Sequence, residues 1–227
     1  MGTRMYPFDL VLFDLDGTLV ETAPEIMDAV NDTLHRFGLP AVTQPQVNDW
    51  IGHGTLALLA KALAQVSQHD EAQARGSELL RQMVPVYNST YNRRCGTRSH
   101  LYPQVRETLK ALRAQGVKLA VLTNKETRYT QLVLDAHQLT TLFDAVISGD
   151  TFAVKKPDPT GAHHCLTQFG VAPARALLVG DSSIDVATAR AAGLAVWVLP
   201  YGYNMGQPIE ASGPDRVIQD FSMLLNL

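Results

Sequence analysis

Four short apolar runs set the ground plan of the chain. They are Phe8-Asp9-Leu10-Val11-Leu12-Phe13, Val117-Lys118-Leu119-Ala120-Val121-Leu122, Phe143-Asp144-Ala145-Val146-Ile147-Ser148 and Ala176-Leu177-Leu178-Val179. Near-continuous apolar runs of this length predict strands buried on both faces, the condition of a parallel sheet. Helical periodicity fills the spaces between them. Val105, Leu109 and Leu112 recur at helical spacing and stop at Gly116, a residue suited to a helix C-terminus. Tyr129, Leu132, Val133 and Ala136 make a second such stripe. Strand and helix in alternation predict an α/β fold, a parallel sheet with helices on both faces.

The stretch between the first run and the second does not fit a simple crossover. Thr22-Ala23-Pro24-Glu25 reads as a capping box, and Ile26, Val30, Leu34 and Phe37 follow on one stripe. Helical signal continues over 56–66 and 79–87. Roughly 70 residues of mostly helical sequence is too long for a loop in a compact domain, so an inserted helical domain is predicted. The division is 1–20 with 95–227 for the core and 21–94 for the insertion. Met83 and Tyr87 fall where packing within that insertion would use them.

Composition narrows the class. The 227 residues are 46% hydrophobic and 18% charged, which suits a globular protein with a full core. A net charge of −3 with scattered Lys and Arg recommends neither a nucleic acid nor a membrane surface as partner. Gly2-Thr3-Arg4-Met5-Tyr6 leads into an apolar stretch broken by Asp9 and Asp14, unlike a secretion signal or a spanning helix. Cys95 and Cys165 lie far apart without metal-ligand spacing, which fits a reducing compartment. A cytoplasmic protein is expected, monomer or homodimer.

The chemistry gathers where the runs end. The first ends in Asp14-Leu15-Asp16-Gly17-Thr18, the second in Thr123-Asn124-Lys125, the third in Gly149-Asp150 with Lys155-Lys156 beyond, the fourth in Gly180-Asp181-Ser182-Ser183-Ile184-Asp185. In an open parallel sheet the strands' carboxyl ends form the ligand crevice. Asp14 and Asp16, about 7 Å apart on one edge of an extended chain, repel each other unless a cation sits with them. Mg²⁺ suits such a set of oxygens, with Asp14 and Asp181 ligating by side chain and Asp16 by its carbonyl. Asp185 either steadies Asp181 or Lys156 from one helical turn away or is a helix-start acid favoured by the dipole.

Such a cluster suits phosphoryl transfer. Asp14, the first acid out of its strand, is the candidate nucleophile, and Asp16 the candidate general acid and base. Thr123 and the amide of Asn124 are candidates for binding phosphate oxygens, and Lys156 for neutralising them. Gly17 and Thr18, in the same turn as Asp14 and Asp16, are candidate substrate-binding residues.

These four segments, in this order, resemble the motifs of the haloacid-dehalogenase-like hydrolases. The resemblance implies a Rossmann-like core, an α-helical cap inserted after the first motif, Mg²⁺, and an aspartyl-phosphate intermediate. Asp16 stands where the family's phosphatases and phosphomutases carry a second acid and its dehalogenases do not. Two further stretches, Trp50-Ile51-Gly52-His53-Gly54 and Tyr201-Gly202-Tyr203-Asn204 through Pro214-Asp215, resemble the bacterial phosphoglycolate phosphatases. That likeness implies a small phosphorylated metabolite, 2-phosphoglycolate, with the first stretch closing over it from the cap. Gly52 and Gly54 would allow close backbone approach, and His53 would contact the substrate carboxylate. Arg93 and Lys125 are further cationic candidates for that carboxylate, and the sequence does not rank them. The alternatives are the same chemistry on a sugar phosphate or N-acetylmuramate 6-phosphate, a phosphomutase of the β-phosphoglucomutase type, and a non-catalytic phosphate-binding module. Thr160-Gly161 and Gln104 depart from the family's usual proline and glycine, the first with the expectation of a looser helix start. His163-His164-Cys165 reads as surface and core rather than a metal site.

Overall fold

The computed structural model describes residues 6–67 and 70–225, so the reading of residues 2–5 lies outside the described residues. Six parallel strands form the main sheet: β1 (Leu10–Phe13), β4 (Lys118–Leu122), β5 (Ala145–Ile147), β6 (Ala176–Gly180), β7 (Ala195–Val198) and β8 (Arg216–Val217). Their order in space is β5-β4-β1-β6-β7-β8. All four apolar runs are strands, while β7 and β8 lie in segments that the pattern above leaves unassigned. The chain moves from β1 to β4 and β5 on one side, then returns to β6 on the other, so the crevice opens between β1 and β6.

Alternation along β1 divides the core. Leu10 and Leu12 face one apolar layer with Leu122, Leu178 and Cys165, while Val11 and Phe13 face the other with Leu119, Val121 and Val179. On the first side lie α8 (Thr160–Phe169) and α9 (Ser183–Ala192), and on the second α6 (Val105–Ala114) and α7 (Thr127–Ala136). The second layer continues without a break into an inserted cap of helices α1 (Ala23–Arg36), α2 (Gln44–Trp50), α3 (Thr55–Val66), α4 (Glu71–Gly76) and α5 (Glu78–Arg94). Met83 and Tyr87 are buried within it. The strands β2 (Val20–Glu21) and β3 (His100–Leu101) pair antiparallel where the chain leaves the core and where it returns.

Several local expectations change. On α7 the fully buried positions are Tyr129, Thr130, Val133 and Leu134, with Leu132 half-buried and Ala136 exposed. The start of α8 is not loosened: Asp158 accepts from the Thr160 amide (2.9 Å) and hydroxyl (2.5 Å). Gly161 lies so close to Leu122 (2.7 Å from where a Cβ would stand) that a side chain there would push the helix off the sheet. Gln104 caps α6 at φ 65°, a left-handed backbone that a glycine would adopt without strain. His163 and His164 are exposed while Cys165 is buried.

The capping box at 22–25 is also replaced. Thr22 makes no side-chain cap to α1. Its hydroxyl donates to Asp16 Oδ1 (2.7 Å) instead. Glu25, fully buried, accepts from the amides of Gly96 (3.0 Å), Arg98 (3.2 Å) and Ser99 (3.1 Å) on the returning chain. A carboxylate with those partners fastens the outgoing helix to the incoming strand. Glu25→Ala leaves the amides without an acceptor, and bonds to a charged group contribute about 1.5–3 kcal/mol each. A loss of about 3 kcal/mol in urea unfolding is expected; a loss within ±0.5 kcal/mol would mean that water replaces the carboxylate at no cost.

Candidate active site

The first turn beyond β1 is shaped by its own backbone. The amides of Leu19 and Val20 both return to the Leu15 carbonyl (3.0 and 3.1 Å), and the Gly17 amide reaches Val20 O (2.9 Å). Gly17 sits at φ 87° against the carboxylate of Asp181, where any Cβ would collide. The turn can therefore lie directly on the loop after β6. Thr18 completes the contact by donating its hydroxyl to Asp181 Oδ1.

Around this contact stand Asp14, Asp181 and Asp185, each offering an oxygen within 4.8 Å of the others. Lys156 sits among them, 3.0 Å from Asp14 Oδ1 and 2.6 Å from Asp185 Oδ1. The Leu15 amide also donates to Asp14 Oδ1 (2.7 Å), fixing the carboxylate's orientation. Burial raises the Asp14 carboxyl to about 6; Lys156 opposes the rise, and Asp185 and Asp16 add to it. Asp181 is pushed well above the usual carboxylate range, first by burial and then by Asp14 and Asp185. Lys156 is held above the usual ammonium range because its carboxylate partners outweigh burial.

Asp185 contacts both the loop of Asp181 and Lys156. It is fully buried, and its Oδ2 accepts from the amides of Asp181 (3.3 Å) and Ser182 (3.1 Å) and from the Ser182 hydroxyl (2.6 Å). Both of its oxygens are thus engaged, one by the loop and one by Lys156. Tyr203 holds Asp181 from the far side through its amide (2.5 Å), while its hydroxyl accepts from the Ala23 amide at the start of α1 (3.1 Å). The sequence marked Tyr203 only as part of a family stretch, without this role.

Asp16 faces a different cation. Lys125 Nζ lies 3.0 and 3.1 Å from its two oxygens and donates to the Tyr91 hydroxyl on α5 (2.7 Å). Thr123 Oγ1 accepts from the Lys125 amide (3.2 Å). The Asn124 side-chain amide is spent on Gly52 O and Lys156 O, both at 2.9 Å, so it latches the cap to the core. Lys155 makes a second latch to His53 O (2.8 Å).

These groups border a cavity of about 50 Å³ between core and cap. Asp14, Asp16, Asp181, Thr123 and Asn124 line it, as do Gly52 and Gly54 from the cap. Two expected contacts fall elsewhere. The His53 side chain is exposed and outside the lining, and burial together with Lys61 and Lys155 holds its imidazole below the usual range. A neutral, outward imidazole is a poor partner for a carboxylate. Arg93 is exposed as well and bonds to Ser89.

The donor set fits a hard divalent cation. Oxygens of Asp14 and Asp181 converge with the single positive charge of Lys156 among three carboxylates, and a cation there would relieve the remaining repulsion. Adding a divalent cation at about 100 times its dissociation constant should stabilise the fold by about 2.7 kcal/mol. Asp181→Asn should remove most of that gain in a thermal melt. An equal gain in both proteins would place the cation elsewhere.

The arrangement has close counterparts. Residues 11–199 match the family model of the haloacid dehalogenase-like hydrolases. A phosphoglycolate phosphatase of Aliivibrio fischeri is 42% identical over 95% of this chain and 94% of its own, and one of Haemophilus influenzae is 40% identical over 97% and 98%. The crystal structure of a predicted phosphoglycolate phosphatase from Haemophilus somnus superposes with a TM-score of 0.91 at 37% identity, covering 97% of this chain and 98% of the other. The chain belongs to the haloacid dehalogenase-like hydrolases.

Proposed function

We propose that the chain is a phosphoric monoester hydrolase that converts 2-phosphoglycolate to glycolate and phosphate, with Mg²⁺ as its metal and Asp14 as its nucleophile. The observation that carries this reading is the pairing of two acids with two different lysines: Asp14 with Lys156, and Asp16 with Lys125. A nucleophile needs a fixed, ionised carboxylate, and a proton carrier needs to stand apart from it at the same cavity. The phosphoglycolate phosphatases of similar sequence support the substrate. We assign 21–94 to the cap and 1–20 with 95–227 to the core, because β2 and β3 pair where the chain crosses between them.

Asp14, Asp181 and the Asp16 carbonyl would hold Mg²⁺, which supplies neutralisation of the phosphate charge. Asp14 attacks phosphorus, and the ester P–O bond breaks as Asp16 gives its proton to the departing alcohol oxygen. The Thr123 hydroxyl and the Asn124 backbone amide bind the transferred oxygens, and Lys156 keeps Asp14 ionised until it attacks. Asp16, now a carboxylate, takes a proton from water, whose oxygen attacks the phosphorus and frees Asp14.

Phosphate release is measured with 2-phosphoglycolate, glucose 1-phosphate, glucose 6-phosphate and N-acetylmuramate 6-phosphate. Two-phosphoglycolate should lead by at least tenfold in kcat/KM, about 1.4 kcal/mol of discrimination, and Asp14→Asn should lower release at least about a thousandfold. A sugar phosphate in front would keep the chemistry and discard the substrate. Full activity in Asp14→Asn would discard the nucleophile.

Acidity gives a separate check. Burial lifts the Asp14 carboxyl from 3.8 to about 6, and the ionised form is the competent one. At subsaturating Mg²⁺, kcat/KM should fall as pH drops through 6, approaching tenfold per unit. The linkage has the opposite sign for stability. A raised acid costs stability while ionised, so the metal-free fold recovers that cost as pH falls from about 6 towards 3.8. A flat rate profile between pH 7 and pH 5 would contradict the role of Asp14.

A further inference from the structure

Lys125 has more to do than the reaction above asks of it. It is buried, and of the residues lining the cavity it alone carries positive charge. Burial acts against its charge, but Asp16 outweighs burial, so its ammonium is held above the usual range. Tyr91 grips it in two ways, by accepting its proton at 2.7 Å and by presenting its ring 4.9 Å from Nζ. Tyr91 packs in turn on Tyr87 and Tyr129, with ring centroids 5.5 and 4.6 Å away. A lysine held from the cap side in this way is preorganised beside Asp16.

Leaving-group geometry gives that position a meaning. A proton donor must come within about 3 Å of the oxygen it protonates. In 2-phosphoglycolate that oxygen sits on the carbon that bears the carboxylate. A cation 3.0 Å from Asp16 therefore stands where the substrate's carboxylate must arrive. Of the cationic candidates, His53 and Arg93 are exposed, and Lys156 is committed to Asp14 and Asp185.

We infer that Lys125, held by Tyr91, is the receptor for the substrate carboxylate, and that the incoming carboxylate displaces Asp16 from it. The inference rests on the phosphatase reading above. In the resting enzyme Lys125 keeps both Asp16 oxygens occupied. A substrate that brings its own carboxylate takes over the ammonium and frees Asp16 from that contact. An ester without a carboxylate leaves Asp16 paired. Recognition of the small acid and release of Asp16 from Lys125 are then one event.

The test compares 2-phosphoglycolate with ethyl phosphate, which keeps the two-carbon alcohol and lacks the carboxylate. The enzyme as it stands should prefer 2-phosphoglycolate by at least a hundredfold in kcat/KM. Lys125→Met should shrink that preference at least tenfold. Tyr91→Phe, which keeps the ring and removes the hydroxyl, should shrink it at least threefold and gives the answer if Lys125→Met does not fold. Equal losses on both esters in these variants would make Lys125 a support for Asp16 alone and overturn the inference, as would an unchanged ratio. Phosphate release by the unsubstituted enzyme separates these failures from failure of the underlying reading. Release from neither ester would overturn both.

Discussion

Like charges held close together are the condition on which the rest of this structure depends. Asp14, Asp181 and Asp185 keep oxygens within 4.8 Å of one another. Two unit charges at that distance repel by about 3 kcal/mol at an effective dielectric constant of about 20. Nothing in the hydrophobic core favours that crowding. It is imposed by the sheet, which sets β1 beside β6 in parallel register and so delivers Phe13 and Val179 side by side with their acids just beyond. Gly17 allows the two loops to touch, and Lys156, Thr18, Ser182 and Tyr203 then hold the acids in place. The apolar layers on both sides of β1 supply the free energy against which this repulsion is set, at about 25 cal/mol for each Å² removed from water.

The same loops that present the chemistry also hold the cap. Asn124 follows Thr123 and bonds to Gly52 O; Lys125 follows Asn124 and bonds to Tyr91; Lys155 precedes Lys156 and bonds to His53 O. Thr22, at the entry to the cap, bonds to Asp16. Each of these loops thus has one residue among the acids or at the cavity and a neighbour turned towards the cap. Any shift of the cap relative to the core would alter the surroundings of Asp16 first, because Lys125, Tyr91 and Thr22 meet there. Glu25 fixes the pivot, tying the start of α1 to residues 96–99.

Much of this was legible in the chain, for definite reasons. Buried parallel strands have no polar face to blur their signal, and acids at strand ends lie where the sheet crevice must be. The apolar run of β7 is just as clear, but it ends in Leu199-Pro200 and brings no chemistry to mark it. Local patterns were less secure where a distant partner competed for the same atoms. Thr22 and Glu25 have the spacing of a capping box, yet Asp16 and the amides of 96–99 offered better partners once the chain had folded. Lys125 is the sharpest case. A lysine just past a strand looks the same whether solvated or buried, and its burial depends on Tyr91, 34 residues earlier in sequence. His53 is exposed instead, and a residue between two glycines carries no local sign of the side to which it turns.

Two buried lysines in one site would be redundant if both only offset acids. Their positions show why they are not. Lys156 touches Asp14 and Asp185, and its charge opposes the rise that burial gives the Asp14 carboxyl. Lys125 touches Asp16 on the cap side of the cavity, where Tyr91 holds it as well. Lys156 lies between two carboxylates, one of them fully buried Asp185. Lys125 has one carboxylate and the hydroxyl of Tyr91, so an anion entering the cavity would compete with Asp16 alone for its charge.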